Sequence, residues 1–165
     1  MNRPVPPRPA RSMELSDLDS FDRKILNALV DDGRMSWRDL SECIGLSLTP
    51  AVRRVRKLEA EGFIEGYTAM LDERLLGSLS IFVSLSLDKQ SEETLTRFET
   101  EIRMLPEIVS CFMMTGDNDY LLRIVVHTLD HYQRVLAKLT AIPHIAHIKS
   151  SVALRTVVQR RGLRM

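Results

Sequence analysis

No apolar run in this sequence approaches the roughly 18 residues that a membrane helix requires, so no membrane partner is expected. Cysteine is nearly missing. Cys43 and Cys111 stand far apart without C-x-x-C spacing, which excludes a disulfide framework and a paired-thiol redox centre. Two free, mostly buried thiols in a reducing cytoplasm are expected. Charge of one sign is lacking too. The formal net charge is +1, and neither half of the chain is basic overall, so attraction to a polyanion has to come from local placement. There is no G-x-x-x-x-G-K-[ST], no G-x-G-x-x-G and no H-E-x-x-H. With no activated nucleophile either, neither an enzymatic activity nor a cofactor is expected. His144 and His147 are three apart in an expected strand and point to opposite faces, while His127 and His131 bracket a turn. No metal site is therefore expected. The opening "MNRPVPPRPARS" is basic but has no apolar h-region, so it does not read as a secretory signal. Its prolines suggest an extended, disordered arm over residues 1–14.

What the chain does have is enough apolar residue, 44%, for one ordinary domain or two small ones in 165 residues. In "LSDLDSFDRKILNALVDDGR", Leu18, Phe21, Ile25 and Leu29 recur on one helical face. Asp17 or Asp19 can cap its start. In "SWRDLSECIGL", Ser36 and Asp39 form a capping-box pattern, Trp37, Leu40 and Ile44 make an inner face, and Gly45 stops the helix. Ser47 or Thr49 then caps a third helix, with Pro50 in its first turn, where a missing N–H is harmless.

Two short helices, a turn with Gly, and a third helix make a helix-turn-helix. On the third helix, Leu48, Ala51, Val55 and Leu58 cluster on one side, with Thr49, Pro50, Arg53 and Lys57 opposite and Arg54 and Arg56 on the flanks. Burying Val55 and Leu58 therefore turns Arg53 and Lys57 outward, as in a helix shaped for a DNA groove. In "GFIEGYTAML", the spacing of Phe63, Ile64, Gly66 and Tyr67 then predicts a strand leaving this unit.

The second half reads strand, helix, strand, strand, helix, strand. "LSIFVSLSLD" alternates; "SEETLTRFETEIRMLP" is a helix capped by Ser91 with Leu95, Phe98, Ile102 and Leu105 buried. "EIVSCFMM" and "YLLRIVV" are strands joined by "TGDND", "LDHYQRVLAKLTAIP" is a second helix, and "HIKSSVALRTVVQ" is a long last strand. This is the ferredoxin-like βαββαβ order. One face of its sheet has no helix of its own, which is a physical reason to form a homodimer. In the turn, Asp117 and Asp119 beside freed backbone N–H groups have the chemistry to hold a zwitterion: carboxylate to ammonium, N–H to carboxylate.

At this point "LDSFDRKILNALVDDGRMSWRDLSECIGLSLTPAVRRVRKLEAEGFIEGYTAML" closely resembles the start of the leucine-responsive/asparagine-regulator (Lrp/AsnC) family of bacterial transcription factors. "MTGDNDYLLRIVV" looks like that family's signature in its amino-acid-sensing domain. The resemblance runs from about Leu15 to Val158. It departs at Leu48, where the family usually has proline, and at "VVQRRGLRM", which lacks the usual Thr-x-x-Leu-Pro close.

The resemblance implies an α+β chain: a winged-type helix-turn-helix domain over residues 15–64, a linker strand over 65–78, a ferredoxin-like effector-binding and oligomerisation domain over 79–159, and a tail over 160–165. It implies a cytoplasmic, nucleoid-associated regulator. Double-stranded DNA is met by Ser47, Thr49, Pro50, Arg53, Arg54, Arg56 and Lys57. An amino-acid effector, of the apolar or branched-chain class by the tone of "FVSLSLDKQ" and "SSVALRTV", is met by Met114, Gly116, Asp117, Asp119 and Tyr120, with Ser150 or Ser151 as neighbours. Dimers stacking to an octamer are implied as well. The alternative reading is an effector-independent architectural protein that wraps or bridges DNA as an oligomer.

Overall fold

The computed structural model describes residues 17–73 and 75–158; the arm expected over 1–14 and the tail over 160–165 lie outside the described residues. The chain forms two compact units divided after Met70, within the connection expected over 65–78.

The first unit holds α1 (Ser20–Asp31), α2 (Trp37–Ile44) and α3 (Leu48–Ala60). Asp19 caps α1 by accepting the N–H groups of Phe21 at 2.8 Å and Asp22 at 2.9 Å, which satisfies two of the donors that every helix start leaves free. Ser36 caps α2: its Oγ accepts the Asp39 N–H at 3.1 Å and donates to Asp39 Oδ2 at 2.7 Å. Gly45 ends α2 in the left-handed conformation, φ 75°, where a β-carbon would be strained. The next N–H, that of Leu46, returns to Ser41 O at 3.0 Å, closing a Schellman turn that leads straight into α3.

The core of this unit is Leu18, Ile25, Leu26, Ala28, Leu40, Ile44, Ala51, Val55 and Leu58. Two expected members are missing. Trp37 is 46% exposed and Leu48 51% exposed, because each is the first residue of its helix and projects beyond the end of the buried stripe. On α1 the buried face is turned toward Asp22, Leu26 and Ala28, with Phe21 and Leu29 at its margin. Asp22 is a buried carboxylate, and α3 answers it: Arg54 Nη1 lies 2.8 Å from Asp22 Oδ1 and 2.7 Å from Asp19 Oδ2. Its guanidinium also stands 5.4 Å from the Phe21 ring centroid. Cys43 is exposed, contrary to expectation, on the outer side of α2.

The expected strand beyond α3 does not form. Phe63 and Ile64 donate their N–H groups back to Leu58 O at 2.9 and 3.2 Å, closing the helix and packing both side chains on the core. Farther on, Leu76 and Ser78 donate to Asp72 and Glu73 in local turns. Alternating side chains do not make a strand without a ladder to join.

The second unit runs β1 (Leu79–Leu87), α4 (Glu92–Arg103), β2 (Ile108–Met113), β3 (Tyr120–Val126), α5 (Leu129–Thr140) and β4 (Ile145–Val152). The antiparallel sheet has the order β2-β3-β1-β4. Residues Ile81, Val83, Leu85 and Leu87 of β1 and Tyr120, Leu122, Ile124 and Val126 of β3 share the face that packs on Phe98 and Ile102 of α4 and Tyr132, Val135 and Leu139 of α5. The other face carries Phe82, 40% exposed, and Phe112, 56% exposed, and no helix of this unit covers it. Arg123 lies on that face and is neutralised by Glu73, whose Oε1 is 2.6 Å from its Nη2. β4 is shorter than expected: the Ala153 N–H bonds Ser80 O at 2.9 Å, and β1 begins at Leu79, so residues 154–158 have no partner strand.

Replacing Arg54 with Ala leaves Asp22 buried without its partner and is expected to destabilise the first unit by about 1–3 kcal/mol. Urea unfolding followed by Trp37 fluorescence reads this unit, since Trp37 is the chain's single tryptophan. The double change Asp22→Leu with Arg54→Met should recover most of the loss. The Asp22 N–H, with Arg54 beside it, holds the Asp19 carboxyl below the usual carboxylate range. A lowered folded-state pKa stabilises above the unfolded value, about 3.9, and that contribution vanishes as pH falls through the folded one. The unfolding midpoint should drop below pH of about 4, and drop less in Asp19→Asn.

Candidate functional site

Two places collect the expected residues. The first is the outer side of α3. Ser47 occupies the cap position with φ −71° and ψ 160°, but its hydroxyl makes no cap hydrogen bond; Pro50 has no N–H to satisfy. Thr49, Arg53, Arg56 and Lys57 are exposed and Pro50 is half-buried. Arg53 and Arg56 have no acidic partner among the described residues. Lys57 has only a loose one, Glu61 Oε1 at 3.8 Å, a pairing of little energetic consequence at an exposed position. Arg54 differs. Its charge is matched by Asp19 and Asp22, so it orients the helix and adds little to the outward potential. Leu48 and Val52, which the sequence reading placed in the core or passed over, join Thr49, Arg53 and Arg56 around an open concavity of about 320 Å³.

The second is the turn from Met114 to Asp119. Gly116 takes φ 115°, a conformation that side chains other than hydrogen strain to reach. The Met114 N–H closes the turn on Asp119 O at 2.8 Å, and the Asp119 N–H docks it on Leu85 O at 3.0 Å. The two aspartates then part company. Asp119 accepts the Leu87 N–H at 2.7 Å on Oδ2 and Gln90 Nε2 at 2.6 Å on Oδ1; both oxygens are spent holding the end of β1. Asp117 is exposed, with its carboxylate free to face a ligand and its carbonyl taking the Ser86 hydroxyl at 3.2 Å.

Asp117 lines a cavity of about 120 Å³ with Ser84, Met114, Thr115, Asn118, Tyr120 and Leu121. Tyr120 contributes no hydroxyl to it. Its ring is 1% exposed on the helix side of the sheet, stacked obliquely on Phe98 at 4.6 Å, with its OH donating to Glu99 Oε1 at 3.2 Å. Burial, with Glu99 beside it, pushes this phenol up to about 12. Ser150 also faces the helices, bonded to Tyr132 OH at 2.5 Å. Ser151 lies opposite Phe82, three residues before Leu85, where the turn docks. Neither serine reaches the cavity within one chain. Ser84, Thr115, Asn118 and Leu121 were missed by sequence reasoning. The alternation of β1 and β3 already placed Ser84 and Leu121 on the uncovered face, and only their register, Ser84 opposite Leu121, joins them to the turn. His144, in pairing with Asp88 at 2.9 Å, and His147, opposite Ser86, do not converge.

Family models match both units of the chain. Residues 18–65 match the winged helix-turn-helix DNA-binding family, and residues 80–163 match the Lrp/AsnC ligand binding domain. The chain is similar to the Bkd operon transcriptional regulator of Pseudomonas aeruginosa, 56% identical over 148 residues, 88% of this chain and 97% of that protein. It is similar to the leucine-responsive regulatory protein of Escherichia coli, 40% identical over 149 residues, 89% and 91% of the two chains. Among solved structures, a Neisseria meningitidis transcriptional regulator in complex with L-Met superimposes with a TM-score of 0.81 at 31% identity, covering 88% of this chain and 96% of that one.

The division of labour between the aspartates is testable by stability alone. Asp119→Ala should lower the stability of the second unit by about 1–2 kcal/mol and speed amide exchange at Leu87, because that N–H loses its acceptor. Asp117→Ala should stay within about 0.5 kcal/mol of the parent. Equal effects in hydrogen exchange and urea melts would deny Asp119 its structural role.

Proposed function

We propose that this chain, which belongs to the Lrp/AsnC family of DNA-binding transcriptional regulators, reads the major groove with α3 and senses an apolar amino acid at the turn between Met114 and Asp119. The observation that carries the first half is the outward charge of Arg53 and Arg56, without an acidic partner among the described residues, on a helix whose third arginine is tied inward. A chain with net charge +1 attracts a phosphate backbone only where charge is concentrated in this way. Ser47, Thr49, Pro50 and Arg53, near the start of α3, meet base edges, and Arg56 and Lys57 meet phosphates or flanking bases.

For the second half, Asp117 provides a carboxylate for an ammonium group, the turn provides backbone N–H groups for a carboxylate, and Met114 and Leu121 provide an apolar wall. A cavity of about 120 Å³ is below the roughly 300 Å³ of ordinary ligand sites, which supports its completion by a second copy. The uncovered sheet face with Phe82 and Phe112 supports a homodimer, and a ligand held between dimers supports the larger, octameric assembly. The L-Met bound by the Neisseria relative supports an amino acid of the apolar class, branched-chain ones included. We place the protein in the cytoplasm, on the nucleoid; among the described residues no helix is long and apolar enough to cross a membrane. An effector bound between dimers shifts the assembly equilibrium, and linkage requires DNA affinity to shift with it.

Arg53→Ala is expected to weaken binding to a preferred site by about 1–3 kcal/mol and to relax specificity there; a loss equal on every sequence would make Arg53 a phosphate contact. Arg56→Ala should reduce the slope of log K against log salt by about one per protomer. Calorimetric titration with each of the twenty amino acids, followed by light scattering, tests the sensor. Micromolar binding of an apolar amino acid with a change in assembly is expected, and Asp117→Ala should abolish it while DNA binding without effector persists. No binding of any amino acid, by protein that still shifts DNA, would make the chain an effector-independent architectural protein.

A further inference from the structure

We infer that Leu48 and Val52 form an apolar reader of a thymine methyl group on the groove side of α3, next to the base-reading position of Arg53. The inference rests on the reading of α3 as the helix that enters the major groove, and it adds a base preference to it.

Leu48 opens α3 and is 51% exposed. Val52, one helical turn later and half-buried, lies in the same row along the helix. Neither belongs to the core of its unit, which takes Ala51, Val55 and Leu58 from this helix. Thr49 and Arg53 form the adjoining row, and Arg56 closes the concavity over which all five residues stand. The surface is thus an apolar strip in the first turn and a half, bordered by two arginines with no acidic partner among the described residues.

That arrangement suits one chemistry in duplex DNA. A phosphate contact needs a cation or an N–H, and the borders supply the cations; Leu48 and Val52 offer neither. Base edges in the major groove present donors, acceptors and a single kind of apolar group, the C5-methyl of thymine. The N-terminal residues of a recognition helix are those that reach base edges, so the strip lies where that methyl is met. Packing a methyl against Leu48, Val52 and the methyl of Thr49 removes apolar surface of both partners from water. Arg53, following Val52 directly in the chain, reaches a neighbouring base pair, where guanine offers N7 and O6 to a guanidinium. The preferred half-site should therefore place a thymine within a base pair or two of a guanine.

The experiment uses the full-length protein and duplexes selected by it from a random pool. Each thymine of the selected site is then replaced singly by deoxyuracil, which removes the methyl and leaves every hydrogen-bonding group in place. One thymine per half-site is expected to weaken binding about three- to fivefold on replacement, and the double variant Leu48→Ala, Val52→Ala should bind the thymine and uracil duplexes alike. Because the uracil arm leaves the protein unaltered, it stands even if the variant folds poorly. If no uracil replacement matters while guanine replacements do, the methyl reader is overturned and the DNA-reading helix stands. A uracil effect that persists undiminished in the double variant also overturns it, assigning the methyl to another side chain. Failure to select any duplex overturns the methyl reader together with the reading of α3.

Discussion

Asp22 is a carboxylate with 4% exposure inside a three-helix unit, and the arrangement of that unit follows from how its charge is met. A buried ion without a partner is severely unfavourable, so α3 has to approach α1 with Arg54 turned toward it. The same guanidinium takes Asp19, whose other oxygen already caps α1. One side chain thus couples the start of α1 to the middle of α3. Helical geometry does the rest: with Arg54 at the α1 contact and Val55 in the core, Arg53, Arg56 and Lys57 have only solvent to face. The residue that looks like one more member of a basic cluster is the one that directs the others.

The second unit depends on a comparable division between neighbours of like chemistry. Asp119 is consumed by the Leu87 N–H and by Gln90, which fixes the turn to the end of β1. Asp117 is left outside and free. A turn held by its own hydrogen bonds at Met114 and Leu85 keeps the remaining carboxylate and the freed N–H groups in one geometry without a ligand, and preorganisation of that kind lowers the entropy lost on binding.

Both units end in incomplete surfaces. Among the described residues, the outer side of α3 has apolar groups between cations without an acidic partner, and the sheet has a face with phenylalanines that no helix of its unit covers. Exposed features of this sort are unfavourable for a solitary chain, and they differ in chemistry: the first suits a polyanion, the second an apolar surface. A regulator needs this separation. If effector binding acts on assembly and assembly acts on DNA affinity, the two sites exchange free energy without sharing atoms.

Much of this was legible in the amino-acid pattern. Periodicity placed the five helices and four strands of the described residues, the caps Ser36 and Ser91 were readable as such and Asp19 as one of two candidates, and "TGDND" announced a polar turn, because these signals are local and act within a few residues. What the pattern misjudged was non-local. Phe63 and Ile64 alternate like a strand, yet their N–H groups return to α3. Trp37 and Leu48 look like core residues but stand beyond the ends of their buried stripes. Tyr120 and Ser150 look available, but the pleat turns them toward the helices, where Glu99 and Tyr132 take their hydroxyls. The sequence by itself determined which elements form and which residue types gather at α3 and at the turn. Only the tertiary structure decided which arginine is neutralised and which aspartate is free, because a charge is assigned its role by the groups that distant segments bring within about 3 Å of it.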